Sequence, residues 1–232
     1  MEAIILAGGF GTRLQSVVND VPKPMAPIGK KPFLEYLMAY LASHDIKHFI
    51  LSVGYLHEKI ISHFGDFYQN IPITYIIEKE ALGTGGAIKL ALANTQNDTS
   101  LVYNGDTFFR LSPKDLFHFH QESNADVSVA LKKMDRPHRY GTINMLGNKV
   151  VNFFEKRIDL KDGLINCGVY CINKNIFYSS TLKNKFSFEK DFLEKQLSKK
   201  NICGFTHNEY FIDIGIPKDY EKAQSELSQH TT

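Results

Sequence analysis

Residues 2–14 read EAIILAGGFGTRL, an apolar run followed by three glycines within four positions and a single arginine. The run EAIIL is short and rich in β-branched residues, which is typical of a strand buried on both faces of a sheet. In open α/β sheets, ligands bind beyond the carboxyl ends of the strands. The glycines that follow this run therefore mark a candidate binding loop.

Strand and helix patterns alternate through the first hundred residues. Apolar strand-like runs recur at 48–53, 73–77 and 100–103. Between them, apolar residues recur at three- and four-residue steps over 33–41, 60–64 and 88–92, which is the spacing of buried helix faces. This alternation predicts an α/β fold with a Rossmann-like, mainly parallel sheet and helices on both of its faces.

The pattern changes from about residue 126. The stretches DVSVALKKM, YGTINML, KVVNFFEK and INCGVYCI are strand-like with little helix signal between them. They predict an antiparallel extension at one edge of the same sheet. Helix patterns return at 188–198 and 217–228, the second with Pro217 in its first turn. No repeat or Gly/Ser-rich linker interrupts the chain, so we expect a single domain over 1–232.

Composition excludes several classes of protein. The chain has 232 residues, 43% hydrophobic and 22% charged, with a formal charge of +2, so it has no basic footprint for nucleic acid. No apolar run approaches the roughly 20 residues that span a bilayer, and Glu2 stands where a signal peptide would be positive. We expect a cytoplasmic protein with neither nucleic acid nor membrane as partner. Its three cysteines lack a C-x-x-C spacing and are expected to be buried thiols.

The glycine loop matches neither the Rossmann fingerprint nor the Walker P-loop, and its residues favour a different kind of phosphate-binding loop. A Rossmann fingerprint requires a third glycine where Leu14 stands, and a Walker P-loop requires an upstream glycine that the pair Gly29-Lys30 lacks. Backbone without side chains can approach phosphate oxygens closely, and Arg13 offers them a bidentate fork. Lys23, held between two prolines, supplies a second cation. A triphosphate suits this chemistry.

Six stretches carry a family resemblance. In chain order, they resemble the motifs of the sugar-1-phosphate nucleotidyltransferases. The stretches are the loop together with VPKPMAPIGKKPFLEYLM, then EKEALGTGGAIKLA, LVYNGDTFF, FFEK, INCGVYCI and FIDIGIPKDYEKA. They span residues 3–223, and within the family the chain is most similar to the short bacterial heptose-1-phosphate guanylyltransferases. Three departures are the second glycine of GTGG, where alanine is usual, the segment SVVNDVPKP, where a P-L-T element is commoner, and Arg157 after Glu155-Lys156, where proline is usual.

The resemblance implies a GT-A-like nucleotidyltransferase fold and an activity. Members transfer a nucleotidyl group from an NTP to a sugar 1-phosphate, without a covalent enzyme intermediate, and release pyrophosphate. The implied catalytic residues are Arg13, Lys23, Asp106 and Asp213, and the two aspartates would hold Mg²⁺. The implied nucleotide-binding part is about 1–110, and the implied sugar-phosphate part is about 111–232.

The resemblance also implies binding residues on both sides of the reaction. Those for the nucleotide are Leu6, Gly8, Gly9, Gly11, Thr12, Arg13, Glu80, Gly83 and Thr84. Those for the sugar phosphate are Tyr140, Gly141, Glu155, Lys156 and Asn166, the last followed by Gly168. Because guanine offers two neighbouring donors that a carboxylate can accept, Glu80 is predicted to select GTP.

Two alternative functions stay open. The first is a uridylyl-, thymidylyl- or cytidylyltransferase acting on another sugar 1-phosphate or on phosphocholine. The second is a non-catalytic regulatory subunit, which the joint presence of Arg13, Lys23, Asp106 and Asp213 disfavours.

The sequence also leaves open whether the protein forms a homo-oligomer. The lack of a following β-helix domain predicts that the chain is not of the bifunctional acetyltransferase type. A GDP-heptose product would supply a capsule or other surface polysaccharide by family analogy.

Overall fold

A computed structural model describes residues 1–9, 11, 14, 17–154, 160–177 and 182–231. The strands within them are β1 (Glu2–Ala7), β2 (Pro27–Ile28), β3 (Lys31–Pro32), β4 (His48–Val53), β5 (Phe67–Tyr68), β6 (Ile71–Ile77), β7 (Thr99–Asn104), β8 (Thr107–Phe109), β9 (Val127–Asp135), β10 (Thr142–Leu146), β11 (Lys149–Phe154), β12 (Asp162–Asn173), β13 (Ile202–Thr206) and β14 (Phe211–Asp213). The α-helices are α1 (Phe33–Ala42), α2 (His57–Phe64), α3 (Gly83–Leu92), α4 (Pro113–Glu122), α5 (Glu194–Gln196) and α6 (Pro217–Glu226). A π-helix covers Phe188–Leu193, and short 3₁₀ turns cover Lys23–Met25, Lys174–Phe177 and Leu227–Gln229.

Ten strands of the described chain form one sheet in the order β10-β11-β13-β9-β12-β7-β1-β4-β6-β5. At its centre β1 pairs in parallel with β4 and β7, and β4 pairs in parallel with β6. The predicted parallel core is thereby confirmed. The carboxyl ends of β1 and β7 lie side by side, with Leu6 opposite Asn104.

The antiparallel extension is also confirmed, with two additions that the sequence pattern did not reveal. Strand β12 runs antiparallel to both β7 and β9, so the extension joins the sheet at β7. Strand β13, which was not predicted, lies parallel to β9. Helix α4 was not predicted either, because its inner face combines Pro113, Leu116 and a buried histidine rather than a continuous apolar stripe. The predicted helix at 188–198 consists of the π-helix followed by the short α5.

The sheet separates two hydrophobic cores. Adjacent residues of β1 face opposite ways, so that Ile5 belongs to the core beneath α1, α2, α4 and α6. Ile4 belongs to the other core, which contains α3 and the aromatic residues of 186–192. Burial on both faces explains why β1, β4 and β7 read as near-continuous apolar runs.

A small antiparallel sheet of β8 and β14 stands at the edge of the binding loop. Its register places Asp213, the last residue of β14, opposite Thr107, the first residue of β8. Asp106 directly precedes Thr107, and the Ile214 amide donates to the Asp106 carbonyl at 3.0 Å. This pairing brings together two aspartates that are 107 positions apart in the sequence.

Candidate active site

A cavity of about 370 Å³ opens at the carboxyl ends of β1 and β7. Its lining residues are Leu6, Gly8, Gly9, Gly11, Lys23, Pro24, Glu78, Ala81, Gly83, Thr84, Ala87, Asn104, Asp106 and Gly215. Eight of the residues proposed from sequence are therefore gathered around one space: Leu6, Gly8, Gly9, Gly11, Lys23, Gly83, Thr84 and Asp106. Thr12, Arg13, Glu155 and Lys156 lie outside the described residues.

Lys23 is a buried cation between two carboxylates. It begins the 3₁₀ turn Lys23–Met25, where flanking prolines fix the backbone, and its side chain is only 8% exposed. Its Nζ donates to Asp106 Oδ2 and lies 3.8 Å from Asp213 Oδ1. The ammonium therefore compensates negative charge that the fold removes from solvent.

The two aspartates converge on one point. Asp213 Oδ1 accepts the Gly215 amide at 2.7 Å, which fixes its rotamer. Burial raises the pKa of Asp213, and the neighbouring Asp106 charge adds to this effect, while Lys23 opposes it. Two hard oxygen donors that already share one cationic partner suit a divalent metal ion such as Mg²⁺. Among the described residues no third carboxylate, histidine or cysteine joins them, so phosphate or water oxygens would complete such a site.

Glu80, the carboxylate predicted to bind the base, does not lie in the wall of the cavity. Glu80 is exposed and is not part of the cavity lining. Glu78, two residues earlier, is half-buried and lines the cavity. Its Oε1 accepts the Ser52 hydroxyl at 3.0 Å and its Oε2 accepts the Leu82 amide at 3.2 Å. The strand β6 ends at Ile77 and the chain bends at residues 79 and 80, which turns Glu80 outward.

Of the residues predicted to bind the sugar phosphate, Gly141 directly precedes β10 and Asn166 lies on β12. The Asn166 amide donates to the Gly141 carbonyl at 3.3 Å, so these two proposed residues are neighbours. Between Asn166 and Tyr170 the pairing of β12 with β9 shifts register, which marks a β-bulge. There the Asn166 Oδ1 accepts the Gly168 amide at 2.9 Å. Gly168 has a φ of +67°, and a side chain on it would meet Asn104, a residue of the cavity wall.

Tyr140 belongs to a second cavity of about 250 Å³, whose wall includes Asp213. Its ring packs edge-on against Phe211 at 5.6 Å between centroids, and its hydroxyl accepts a hydrogen bond from Arg139 at 3.1 Å. Burial raises the pKa of Tyr140 and keeps the phenol protonated. Arg139 also pairs with Asp219 of α6. Burial lowers the pKa of the guanidinium, but the hydrogen bond to Asp219 together with the nearby Tyr140, Asp219 and Asp213 raises it overall. The sequence interpretation named neither Arg139 nor Asp219.

Comparison with known proteins places this geometry in a family. The sequence matches the family described as Nucleotidyl transferase over residues 2–230. The chain belongs to that family. It is 50% identical over 230 residues to the D-glycero-alpha-D-manno-heptose 1-phosphate guanylyltransferase of Aneurinibacillus thermoaerophilus, covering 99% of this chain and all of that protein. The Campylobacter jejuni protein of the same name is 46% identical over 220 residues, which cover 95% of this chain and 97% of that one.

A solved structure supports the same assignment of fold. HddC from Yersinia pseudotuberculosis, complexed with GMP-PN, superposes with a TM-score of 0.87 at 39% identity and covers 97% of this chain and 99% of that one. The predicted nucleotidyltransferase fold is thereby confirmed. No helix in the described part of the chain is long and apolar enough to cross a membrane.

For this nucleotidyltransferase, sequence reasoning missed Asn104, which lines the cavity, and residues that contact the predicted site residues. Asn104 immediately precedes Gly105 and Asp106, so its position at the end of a strand-like run was an available signal. Tyr170 belongs to the INCGVYCI stretch and Arg139 directly precedes Tyr140, so both also had a signal nearby. Glu189 gave none, because its contacts with Thr84 and Tyr170 join segments that are distant in sequence. The three cysteines are all buried and unpaired, as expected.

Proposed function

We propose that this protein transfers a guanylyl group from GTP to D-glycero-α-D-manno-heptose 1-phosphate, giving GDP-heptose and pyrophosphate. The convergence of Lys23, Asp106 and Asp213 beside the glycine-lined cavity is the observation that carries the reaction class. The names of the two relatives that match over nearly full length support the choice of heptose, and a guanine nucleotide in the Yersinia structure supports the choice of base.

In this proposal an oxygen of the sugar phosphate attacks the α-phosphorus of GTP in line, and the bond to pyrophosphate breaks. The glycine backbone cradles the triphosphate, and Arg13 binds the leaving pyrophosphate. Lys23 stabilises the negative charge on the phosphates that react, since it lines the cavity and its Nζ lies beside both aspartates. A cation fixed in advance at this place costs no reorganisation when charge develops.

We propose Mg²⁺ as the metal that Asp106 and Asp213 hold. The fit rests on the donor set, since both carboxylates already direct an oxygen toward the same ammonium group. When bound there, the ion would neutralise phosphate oxygens and favour departure of pyrophosphate.

Guanine selection is proposed for Glu78 in place of Glu80. Each Glu78 carboxylate oxygen has one hydrogen-bond partner and keeps a further acceptor site. Guanine presents N1–H and the N2 amino group as adjacent donors that such a carboxylate can accept. Glu78 lines the cavity, whereas Glu80 faces solvent.

For the sugar, we propose that Gly141 and Asn166 contact hydroxyl groups from the β12 side. Asn166 keeps one amide hydrogen beyond its bond to Tyr170, so it can donate to a ligand. Glu155 and Lys156 keep their sequence-based assignment to the sugar hydroxyls and the sugar phosphate.

Pyrophosphate release tests the function. The purified protein is assayed with Mg²⁺ and GTP, ATP, UTP, CTP or dTTP against the 1-phosphates of heptose, mannose, glucose and N-acetylglucosamine. We expect GTP with heptose 1-phosphate to give the highest kcat/KM, and no release without a sugar phosphate. A preference for UTP, dTTP or CTP would contradict the guanylyl assignment, and no release with any pair would contradict nucleotidyl transfer.

A further inference from the structure

The segment 182–193 touches both substrate sides of the site. Its Phe186 exchanges backbone hydrogen bonds with the start of α3, donating to the Leu82 carbonyl and accepting the Gly85 amide, each at 3.0 Å. A Cβ on Gly85 would lie 2.1 Å from the Phe186 ring, so the second glycine of GTGG permits this close approach. On the other side, Phe188 packs edge-on against Tyr170 of β12 at 5.2 Å. The segment therefore joins the nucleotide-side helix to the sugar-side strand.

The Glu189 carboxylate, in this segment, accepts hydrogen bonds from three hydroxyl groups. Glu189 Oε2 accepts the hydroxyls of Thr84 at 2.8 Å and Ser187 at 2.9 Å. Glu189 Oε1 accepts the hydroxyl of Tyr170 at 3.0 Å. Tyr170 in turn accepts the Asn166 side-chain amide at 2.8 Å. A continuous chain of hydrogen bonds thus runs from Thr84 through Glu189 and Tyr170 to Asn166.

The direction of each bond in this chain is determined. Burial raises the pKa of Tyr170 well above its usual value, so the phenol keeps its proton and donates it to Glu189. A phenol has one proton, so its oxygen must accept from Asn166 Nδ2, and this leaves Asn166 Oδ1 for the Gly168 amide. Likewise Thr84 donates to Glu189 and accepts the Phe188 amide at 2.9 Å. The rotamers at both ends therefore depend on one carboxylate.

We propose that Glu189 is a positioning residue that couples the nucleotide side of the site to the sugar side through Tyr170. Glu189 contacts neither the cavity nor the reacting atoms in this proposal. It orients Thr84 at the start of α3 and Asn166 at the bulge of β12, so that a disturbance at one end changes the geometry at the other. The inference rests on the proposed function for the identity of the two substrates.

Steady-state kinetics with both substrates provides one test. Glu189→Ala removes the shared acceptor, and we expect the KM values for GTP and for heptose 1-phosphate both to rise by about 3- to 10-fold, the effect of losing one positioning hydrogen bond. Glu189→Gln keeps one acceptor oxygen and should recover part of both losses. Tyr170→Phe interrupts the chain between Glu189 and Asn166, so it should raise only the KM for heptose 1-phosphate.

Coupling distinguishes this role from simple stabilisation of the fold. Thr84→Val should raise the KM for heptose 1-phosphate in the wild-type background and lose that effect in a Tyr170→Phe background. Asp191→Asn is the control, because Asp191 accepts the Ser187 amide in the same segment and pairs with Lys195, and neither of these contacts involves the Glu189 carboxylate. Independent effects of Thr84→Val and Tyr170→Phe would overturn the proposal, as would a lower melting temperature in Glu189→Ala with both KM values unchanged.

Hydrogen exchange without substrates keeps this test separate from the proposed function. In Glu189→Ala we expect faster exchange at the amides of Gly168 and Phe188, which are bonded to Asn166 and Thr84. Unchanged exchange at both amides would overturn the coupling. If wild-type protein released no pyrophosphate, the proposed function would fail, and the exchange result would still decide the inference.

Discussion

The two sides of the proposed active site differ in the chemical groups that form them. On the proposed nucleotide side, the cavity is lined by several glycines and by Lys23 and Asp106, and Asp213 lies beside them in the same partly buried charge cluster. On the proposed sugar side, the Asn166 side chain is hydrogen-bonded to the Tyr170 hydroxyl and to the Gly168 amide. Substitutions on the first side therefore change the charge that faces the phosphates, while those on the second change geometry. We expect the first kind to have larger effects.

The largest effect is expected from Asp106→Asn and Asp213→Asn. Each removes a negative charge and a proposed metal ligand without changing side-chain size, so kcat should fall by about 100-fold or more. Burial and Asp106 both disfavour the charged form of Asp213, so its neutral replacement should leave the melting temperature unchanged or raise it.

Asp162→Asn is the matched control for these variants, because its carboxylate is exposed and pairs with Lys133 at the surface. It should change neither turnover nor melting temperature. Near-normal activity of either active-site variant at low Mg²⁺ would refute the assignment of the aspartates.

Lys23→Ala should come next in size. Loss of this ammonium removes charge stabilisation that grows in the transition state, so kcat should fall strongly while the KM for GTP changes less. It also leaves two carboxylates close together without their cation, which should lower the melting temperature, and Mg²⁺ should restore part of that loss. Lys31→Ala, which removes an exposed lysine paired with Glu35, is the control. A variant that altered only the KM for GTP would show that Lys23 acts in ground-state binding.

A smaller and more selective effect is expected at Glu78. Glu78→Gln should reduce the preference for GTP over ATP by about 5- to 150-fold, because one guanine donor then faces an amide group instead of an acceptor. Glu80→Gln should leave the preference unchanged. Ser52→Ala removes a hydrogen-bond donor to Glu78 but keeps the Glu78 carboxylate, so this variant should still prefer GTP. Equal preferences in Glu78→Gln and wild type would mean that the base is recognised elsewhere.

The parallel core was predictable because burial on both faces leaves a direct trace in the sequence. Strands β1, β4 and β7 each contain consecutive apolar residues, at 3–7, 49–51 and 101–103. The three-residue strands β8 and β14 leave no such trace, since their pairing depends on contacts between distant segments. Yet Asp106 and Asp213 were still identifiable, because each stands near a glycine at the end of a strand-like run.

Side-chain direction in loops was harder to predict than residue identity. Glu78 and Glu80 are both acidic and lie in one motif, but the bend after β6 places only Glu78 in the cavity wall. Within a strand, alternation would have put both on one face. Where the strand ends, that rule no longer holds. The contacts of Glu189 were unpredictable for a related reason, since its partners come from α3 and β12.

The smallest effect is expected away from the site, at His120 of α4, which ties the antiparallel half together. His120 is 3% exposed; its Nδ1 lies 2.9 Å from Ser128 Oγ and its Nε2 lies 3.0 Å from Asn173 Oδ1. Burial lowers the pKa of His120, although Asn173 and the charge of Asp126 partly oppose this. The folded protein therefore holds a neutral imidazole at a pH where the unfolded chain is protonated.

A histidine pKa that is lower in the folded state gives a stability that decreases on acidification. Below about pH 6.5 the unfolded chain binds more protons at this position than the folded one, so the free energy of unfolding should fall by at most about 1.4 kcal/mol per pH unit until the folded-state pKa is reached. Urea unfolding at a series of pH values should show this loss in wild type and a reduced slope in His120→Gln, at unchanged activity near pH 7.5. His118→Gln changes an exposed histidine on the same helix and should keep the wild-type slope. The same slope in all three proteins would mean that other groups are responsible for the acid sensitivity of this half.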